Sequence, residues 1–136
     1  GLMSRDRKNR TIFSLQSKGR DSETAFKKID YFDPLSYVEL YPKTGRTHQI
    51  RVHLKSISNP IICDESYGGG ISTIKSYHVK HANNLKMILS SINRVALHAY
   101  SIEFTHPRTN KKNKFFAPIP NDFEYILNIL KKGNND

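Results

Sequence analysis

Lys43, Arg46, His48, Arg51, His53 and Lys55 crowd into one short stretch, and their spacing points to anion chemistry. His48, Arg51 and Lys55 stand at i, i+3 and i+7, one face of a helix, with no acid in that row to offset them. Like charges so placed cost a helix about 0.2–0.5 kcal/mol per pair, which suggests an anionic partner outside the helix. Lys43 and Arg46 precede the helix, where free backbone amides already favour a phosphate or a carboxylate. The imidazoles of His48 and His53 invite an acid–base reading, but histidines beside a helix start more often hold the turn by hydrogen bonds. A plain solvated basic face is the alternative.

The elements that must carry these groups follow from local chemistry. The β-branched and aromatic run Ser36–Tyr41 reads as a strand ended by Pro42, with Thr44-Gly45 supplying a cheap positive φ. Thr47 is the expected N-cap of the next segment, in which Ile50, Leu54 and Ile57 form the expected buried face until Asn59-Pro60 stops it. The centre is therefore strand, tight turn, helix.

Upstream, residues 1–10 hold basic residues and little that is apolar, and are expected to fray. Thr11–Leu15 reads as a short strand, and 23–32 and 35–41 as two strands joined by a turn at Asp33-Pro34. Downstream, residues 68–93 are expected to form a surface insertion, a loop followed by a short helix marked by Leu85, Ile88, Leu89 and Ile92. Residues 94–105 read as a strand broken near Tyr100 and paired through a turn at 106–110 with Lys114–Pro118. Asp122 is the expected cap of a last helix that turns Phe123, Ile126, Leu127 and Leu130 inward. The expectation is one α+β domain, a mainly antiparallel sheet with two or three packed helices.

Gly-Arg-Thr-His-Gln-Ile-Arg-Val-His-Leu (45 to 54), then Asn-Pro-Ile (59 to 61), Asp64, Tyr67-Gly68 and Ala96-Leu97-His98-Ala99, resembles the RluA-type RNA pseudouridine synthases. Thr24 and Phe26 upstream, and Phe115-Phe116-Ala117-Pro118 with Pro120 downstream, fit the same pattern, so the resemblance covers nearly the whole chain. It implies the C-terminal part of that family's catalytic domain. It also implies an isomerase that needs no cofactor or metal, acts on ribosomal or transfer RNA, and flips the target uridine out of its stack. Arg51 would then form an ion pair with the catalytic aspartate, Leu97 would line the uracil site, and Lys43, Arg46 and Lys55 would contact phosphates. The family's aspartate lies in a His-Arg-Leu-Asp stretch followed by Thr-Ser-Gly, which these 136 residues do not contain. The expectation is an open half-site at Arg51, inactive by itself. The chain departs from the family at Ser58-Asn59, where Gly-His is usual, and at Cys63, where glycine is usual.

Composition agrees without deciding. A formal charge of +10 and a pI near 9.8 imply attraction to polyanions, nucleic acid first. A non-catalytic RNA-binding module and, more weakly, a ribosomal structural protein share that charge. The lone Cys63 rules out an internal disulfide and agrees with a reducing compartment, so the expected setting is intracellular, in cytosol or organelle. No apolar run is long enough for a membrane span, and a monomer is expected. Cys63, His78 and His81 lack the ligand number and spacing of a zinc site, and Asp64-Glu65 as a hydrolytic carboxylate pair is a weak reading.

Overall fold

The computed structural model describes residues 1–9 and 13–134. Its architecture is α+β, with the described strands arranged in three small antiparallel sheets rather than one.

Strand β1 (Leu2–Arg5) lies between β2 (Phe13–Leu15) and β3 (Arg20–Asp21). The expected fraying of residues 1–10 is thus corrected over Leu2–Arg5, while residues 10–12 lie outside the described residues. Met3 is the reason: it is buried against Val52 and Tyr67, apolar contact that outweighs the basic character of its neighbours.

The hairpin of β4 (Thr24–Phe32) and β5 (Leu35–Pro42) forms as expected, in a register running from Thr24↔Pro42 to Phe32↔Leu35 with a shift between Lys28 and Asp30. Its alternation does not produce a buried face. Phe26, Ile29 and Tyr31 remain 60%, 46% and 50% exposed, because the hairpin is gripped at its two ends. The Phe32 end enters the main core and the Thr24 end is bonded to α1 (Gln49–Ser56).

Helix α1 starts later than Thr47. The residue before it, His48, adopts the left-handed conformation at φ 54, and no side chain caps the helix. The Gln49 amide N–H already donates to Arg46 O at 3.0 Å, closing a turn that leaves Thr47 no capping role. The buried face is also not the expected one, since Gln49 and Val52 are buried and Ile57 is 52% exposed.

A buried amide inside this face is stable because Gln49 is fully satisfied. Its Oε1 accepts from the Thr44 hydroxyl at 2.6 Å and from the Arg46 N–H at 3.0 Å. Its Nε2 donates to Glu23 O and Thr24 Oγ1, each at 2.9 Å. One side chain therefore joins the start of β4, the turn after β5 and the first turn of α1. His53 works beside it. Ser22 Oγ donates to Gly1 O at 2.5 Å, so it must accept from His53 Nε2–H at 2.9 Å. Thr24 then donates to Nδ1 at 2.8 Å, which assigns the neutral Nε2–H tautomer.

After Asn59-Pro60 the chain forms a tight loop through Gly70, then 3-10 turns at Ile71–Ser76 and Val79–His81, and then α2 (Ala82–Ser91). Of the expected surface insertion, residues 71–81 stay largely at the surface. Leu85 and Ile88 of α2 are 1% and 0% exposed, because their helical spacing forms an apolar stripe, and Ile88 with Ile92 joins the core. Phe32 and the α3 (Asn121–Asn134) residues Ile126, Leu127 and Leu130 complete that core, as the sequence periodicity expects for α3. The expected strand over 94–105 is shortened to β6 (Ser101–Thr105), paired with β7 (Lys112–Phe116). Arg94 explains the loss of the first half. Its guanidinium holds Asp122 through Nε and Nη2 at 3.0 and 2.9 Å and donates to Leu97 O at 3.0 Å, fixing residues 94–97 as an irregular brace on α3.

Both departures from the family's glycines fall where backbone geometry favours glycine: Ser58 has φ 61 and Cys63 φ 69. The turns are kept with non-glycine residues held in a left-handed conformation.

The Gln49→Ala variant should lose about 2–3 kcal/mol in denaturant unfolding, since the Arg46 N–H loses its partner while Glu23 O and the Thr24 and Thr44 hydroxyls each lose one bond. Burial lowers the pKa of His53, helped by the N-terminal charge, and the sign follows. The unfolded chain binds the proton more readily, so this stabilisation is present above pH about 6.5 and is lost as pH falls below it. Melting temperature should drop between pH 7 and 5.5, and less steeply in His53→Gln.

Candidate active site

The cationic face of α1 does meet an acid. Arg51 donates from Nε to Asp64 Oδ2 at 2.9 Å and from Nη2 to Oδ1 at 2.8 Å, a two-pronged side-on pair. Asp64 is fully buried and the Arg51 side chain keeps 21% exposure, so the exposed part of the pair is arginine. This corrects the expected open half-site: within this chain Arg51 already has a carboxylate, reached across sequence from a loop. The hydrogen bond to Asp64 raises the Arg51 pKa further, outweighing burial.

The loop is shaped to deliver that carboxylate. Gly69 N–H donates to Asp64 O at 2.7 Å and Cys63 N–H to Gly69 O at 2.8 Å, folding residues 61–69 onto themselves. A Cβ on Gly69 would lie 1.7 Å from Ile61 O, so only glycine fits the closure.

Tyr67, 0% exposed, forms the floor. The Arg51 guanidinium carbon sits 4.7 Å and Lys55 Nζ 5.8 Å from its ring centroid, close enough for cation–π attraction. Its hydroxyl accepts from Phe13 N–H at 3.0 Å and lies 2.8 Å from His48 Nδ1. The hydroxyl and that ring nitrogen share one hydrogen bond, whose direction follows the His48 tautomer. Burial, then the nearby Arg51 charge, lowers the His48 pKa, with Asp64 opposing. Both motif histidines thus act as hydrogen-bonded struts.

Arg51 and Lys55 are brought together over Tyr67; the other expected contacts are spread. Lys43 is exposed on the turn, its backbone N–H bonded to Glu23 O at 2.8 Å. Arg46 spends its Nε on Asp21 O at 2.7 Å, leaving the rest of its guanidinium for other partners. Leu97 is half-buried in the irregular brace, not in a strand as expected. The brace nevertheless touches the Asp64 loop, because Ala96 N–H donates to Ile62 O at 3.1 Å.

Two surface cavities are lined by neither Arg51 nor Leu97. One, of about 440 Å³, is bordered by Arg5, Arg7, Gln16 and Lys18, and the other, of about 500 Å³, lies between Asp33, Lys80, His81 and Asn84. Burial, then Glu65, pushes the Cys63 thiol up to about 11, which makes it a poor nucleophile or ligand near neutrality. Among the described residues, no group of three or more His, Cys, Asp or Glu converges as a metal site would. No helix among them is long and apolar enough to cross a membrane.

Asp64 as the partner of Arg51, Tyr67 as the floor and Gln49 as the clasp were not legible as such. The motif marks their region. Only the glycines after Asp64, which signal a tight loop, hint that its carboxylate turns inward.

Residues 3–56 match the family described as RNA pseudouridylate synthase. Over 123 residues, 90% of this chain and 38% of the relative, the sequence is 37% identical to a ribosomal large subunit pseudouridine synthase D of Blochmanniella floridana. It is 33% identical over 129 residues to the protein of that name in Haemophilus influenzae, covering 95% of this chain and 39% of the relative. A ribosomal large subunit pseudouridine synthase C of Buchnera aphidicola is 37% identical over 131 residues, again 95% of this chain and 38% of the relative. The chain therefore spans well under half the length of these relatives. These matches return RNA pseudouridine synthases, the kind of protein that residues 45–54 resemble.

Proposed function

We propose that this chain contributes the arginine side of an RNA pseudouridine synthase site. The complete protein breaks the glycosidic bond of a uridine and rejoins C5 of the base to the sugar. The observation that carries the reading is the motif arginine itself: Arg51 is held over Tyr67 by a buried acid, and part of its fork stays exposed. Asp64 uses Nε and one hydrogen of Nη2, so Nη1 and the far hydrogen of Nη2 form a second edge. No hydrogen bond to Nη1 is found among the described residues. That edge suits the catalytic carboxylate, which would come from a His-Arg-Leu-Asp stretch outside these 136 residues.

The other roles follow from chemistry. Leu97 offers an apolar wall for a base face, tied through Ala96 to the loop bearing Asp64. Lys43, Arg46 and Lys55 hold phosphates, a salt-sensitive and sequence-independent contribution. The substrate is RNA, ribosomal RNA by analogy with the relatives' names, and transfer RNA is the competing outcome. Without the partner acid the 136 residues alone are inactive. A second reading, a basic RNA-binding module without chemistry, is favoured by one feature, the lack of His-Arg-Leu-Asp in the sequence.

The test is conversion of uridine in ribosomal and transfer RNA transcripts by a polypeptide carrying this chain together with its upstream segment, read as tritium release from 5-tritiated uridine. The wild type should convert one of them, and Arg51→Ala should lose about 100-fold or more in rate, as expected when a positioned charged donor is removed. An active Arg51→Ala removes the assigned role. Binding of both RNAs with conversion of neither favours the binding module.

A further inference from the structure

Resting on that reading, we propose that Asp64 is a positioning residue for Arg51: it locks the guanidinium side-on against Tyr67, so that the opposite edge is presented to a second carboxylate. Three observations support this. Asp64 is 0% exposed and gives both oxygens to one arginine, at 2.9 and 2.8 Å, so the fork cannot rotate about its long axis without leaving a buried carboxylate unpaired. Tyr67, equally buried, lies under the same fork and is itself fixed through its hydroxyl by Phe13 N–H and His48. The Asp64 backbone is fixed in turn by Gly69 and Tyr67 N–H groups donating to its carbonyl at 2.7 and 3.2 Å.

Charge points the same way. Asp64 alone would neutralise Arg51 and leave nothing for a further acid. Lys55, over the same ring, restores one positive charge to the group. Arg51, Lys55 and Asp64 sum to +1, which matches one incoming carboxylate. Lys55 therefore belongs to the carboxylate seat as well as to the phosphate surface. Arg51 is suited to bridging two acids because a planar guanidinium offers two hydrogen-bonding edges, which a lysine ammonium does not.

The experiment has two arms. In the first, the Arg51 Nε–H resonance of this chain is followed by nitrogen-15 NMR. It should be sharp and slow to exchange in the wild type, and broadened or lost in Asp64→Asn while the backbone amide spectrum is kept. If Asp64→Asn does not fold, Asp64→Glu, which keeps the charge but moves the oxygens by a methylene, should show the same loss. An Nε–H that stays protected in the folded variants overturns the proposal.

In the second arm, kcat and KM are measured in the polypeptide that includes the upstream segment. Asp64→Asn and Asp64→Glu should lower kcat by about 10-fold to 100-fold with KM for RNA changed less than about threefold, because the RNA-facing groups are untouched. A rise in KM with kcat unchanged overturns the positioning role in the reaction. An inactive wild type overturns the reading of the reaction instead, and the NMR arm then decides alone whether Asp64 aims the guanidinium.

Discussion

A carboxylate that sees no water needs a cation, and in this chain Asp64 finds it in Arg51. An unpaired charge at that depth would cost several kcal/mol, so the pair fixes α1 relative to the 61–69 loop. Arg51 adjoins Val52, which packs with Met3 and Tyr67, and Asp64 adjoins Cys63, which packs against the core of α2 and α3. The bridge thus joins two separate apolar clusters. Neither cluster is large. A chain of this length has a modest core, and polar contacts of high specificity supply the relative placement that apolar packing leaves loose.

The same economy appears elsewhere in the molecule. Gln49 joins three segments through four hydrogen bonds from one amide, and Arg94 joins α3 to the brace through two forks. Each is a long polar side chain satisfied almost to capacity, and no buried side-chain nitrogen or oxygen among the described residues lacks a partner. By contrast the two hairpins expose much of their apolar surface: Ile102 is 61% exposed, Phe104 43% and Phe115 57%, although Phe104 and Phe115 stack on each other at 5.8 Å. Two-stranded units of this kind are marginal alone, so order in this chain is concentrated around the helices and their polar ties.

How much of this was legible depends on the range of the signal. Short-range patterns read well: the 24–42 hairpin, the 101–116 hairpin and the buried stripe of α3 all come from local periodicity and turn residues. The family motif also marked the stretch that holds Arg51, whose guanidinium forms the buried pair with Asp64. What failed was long-range or depended on satisfied polarity. Ile50, Leu54 and Ile57 looked like the buried face because apolarity was the criterion, yet a buried position is Gln49, whose partners lie in two other segments, residues 23–24 and 44–46. Thr47 looked like a cap, but the backbone turn closed at Gln49 first. Residues 1–10 looked free because their one important apolar residue, Met3, packs with Val52 and Tyr67, far downstream in the sequence.

Arg51 shows why the largest error mattered. Read along the helix, the stripe His48–Arg51–Lys55 had no acid and implied an outside anion. Coordinates add Asp64, and the inference changes form without disappearing. One edge of the guanidinium is occupied from within, and Lys55 over the same ring leaves the group with one positive charge in excess. An internal acid does more for such a site than an open one would. It removes the rotamer freedom of a long side chain before the second acid arrives, so less order remains to be imposed at the moment of assembly. In the proposed role the cationic stripe acts as a preorganised receptor, with Asp64 as its internal template.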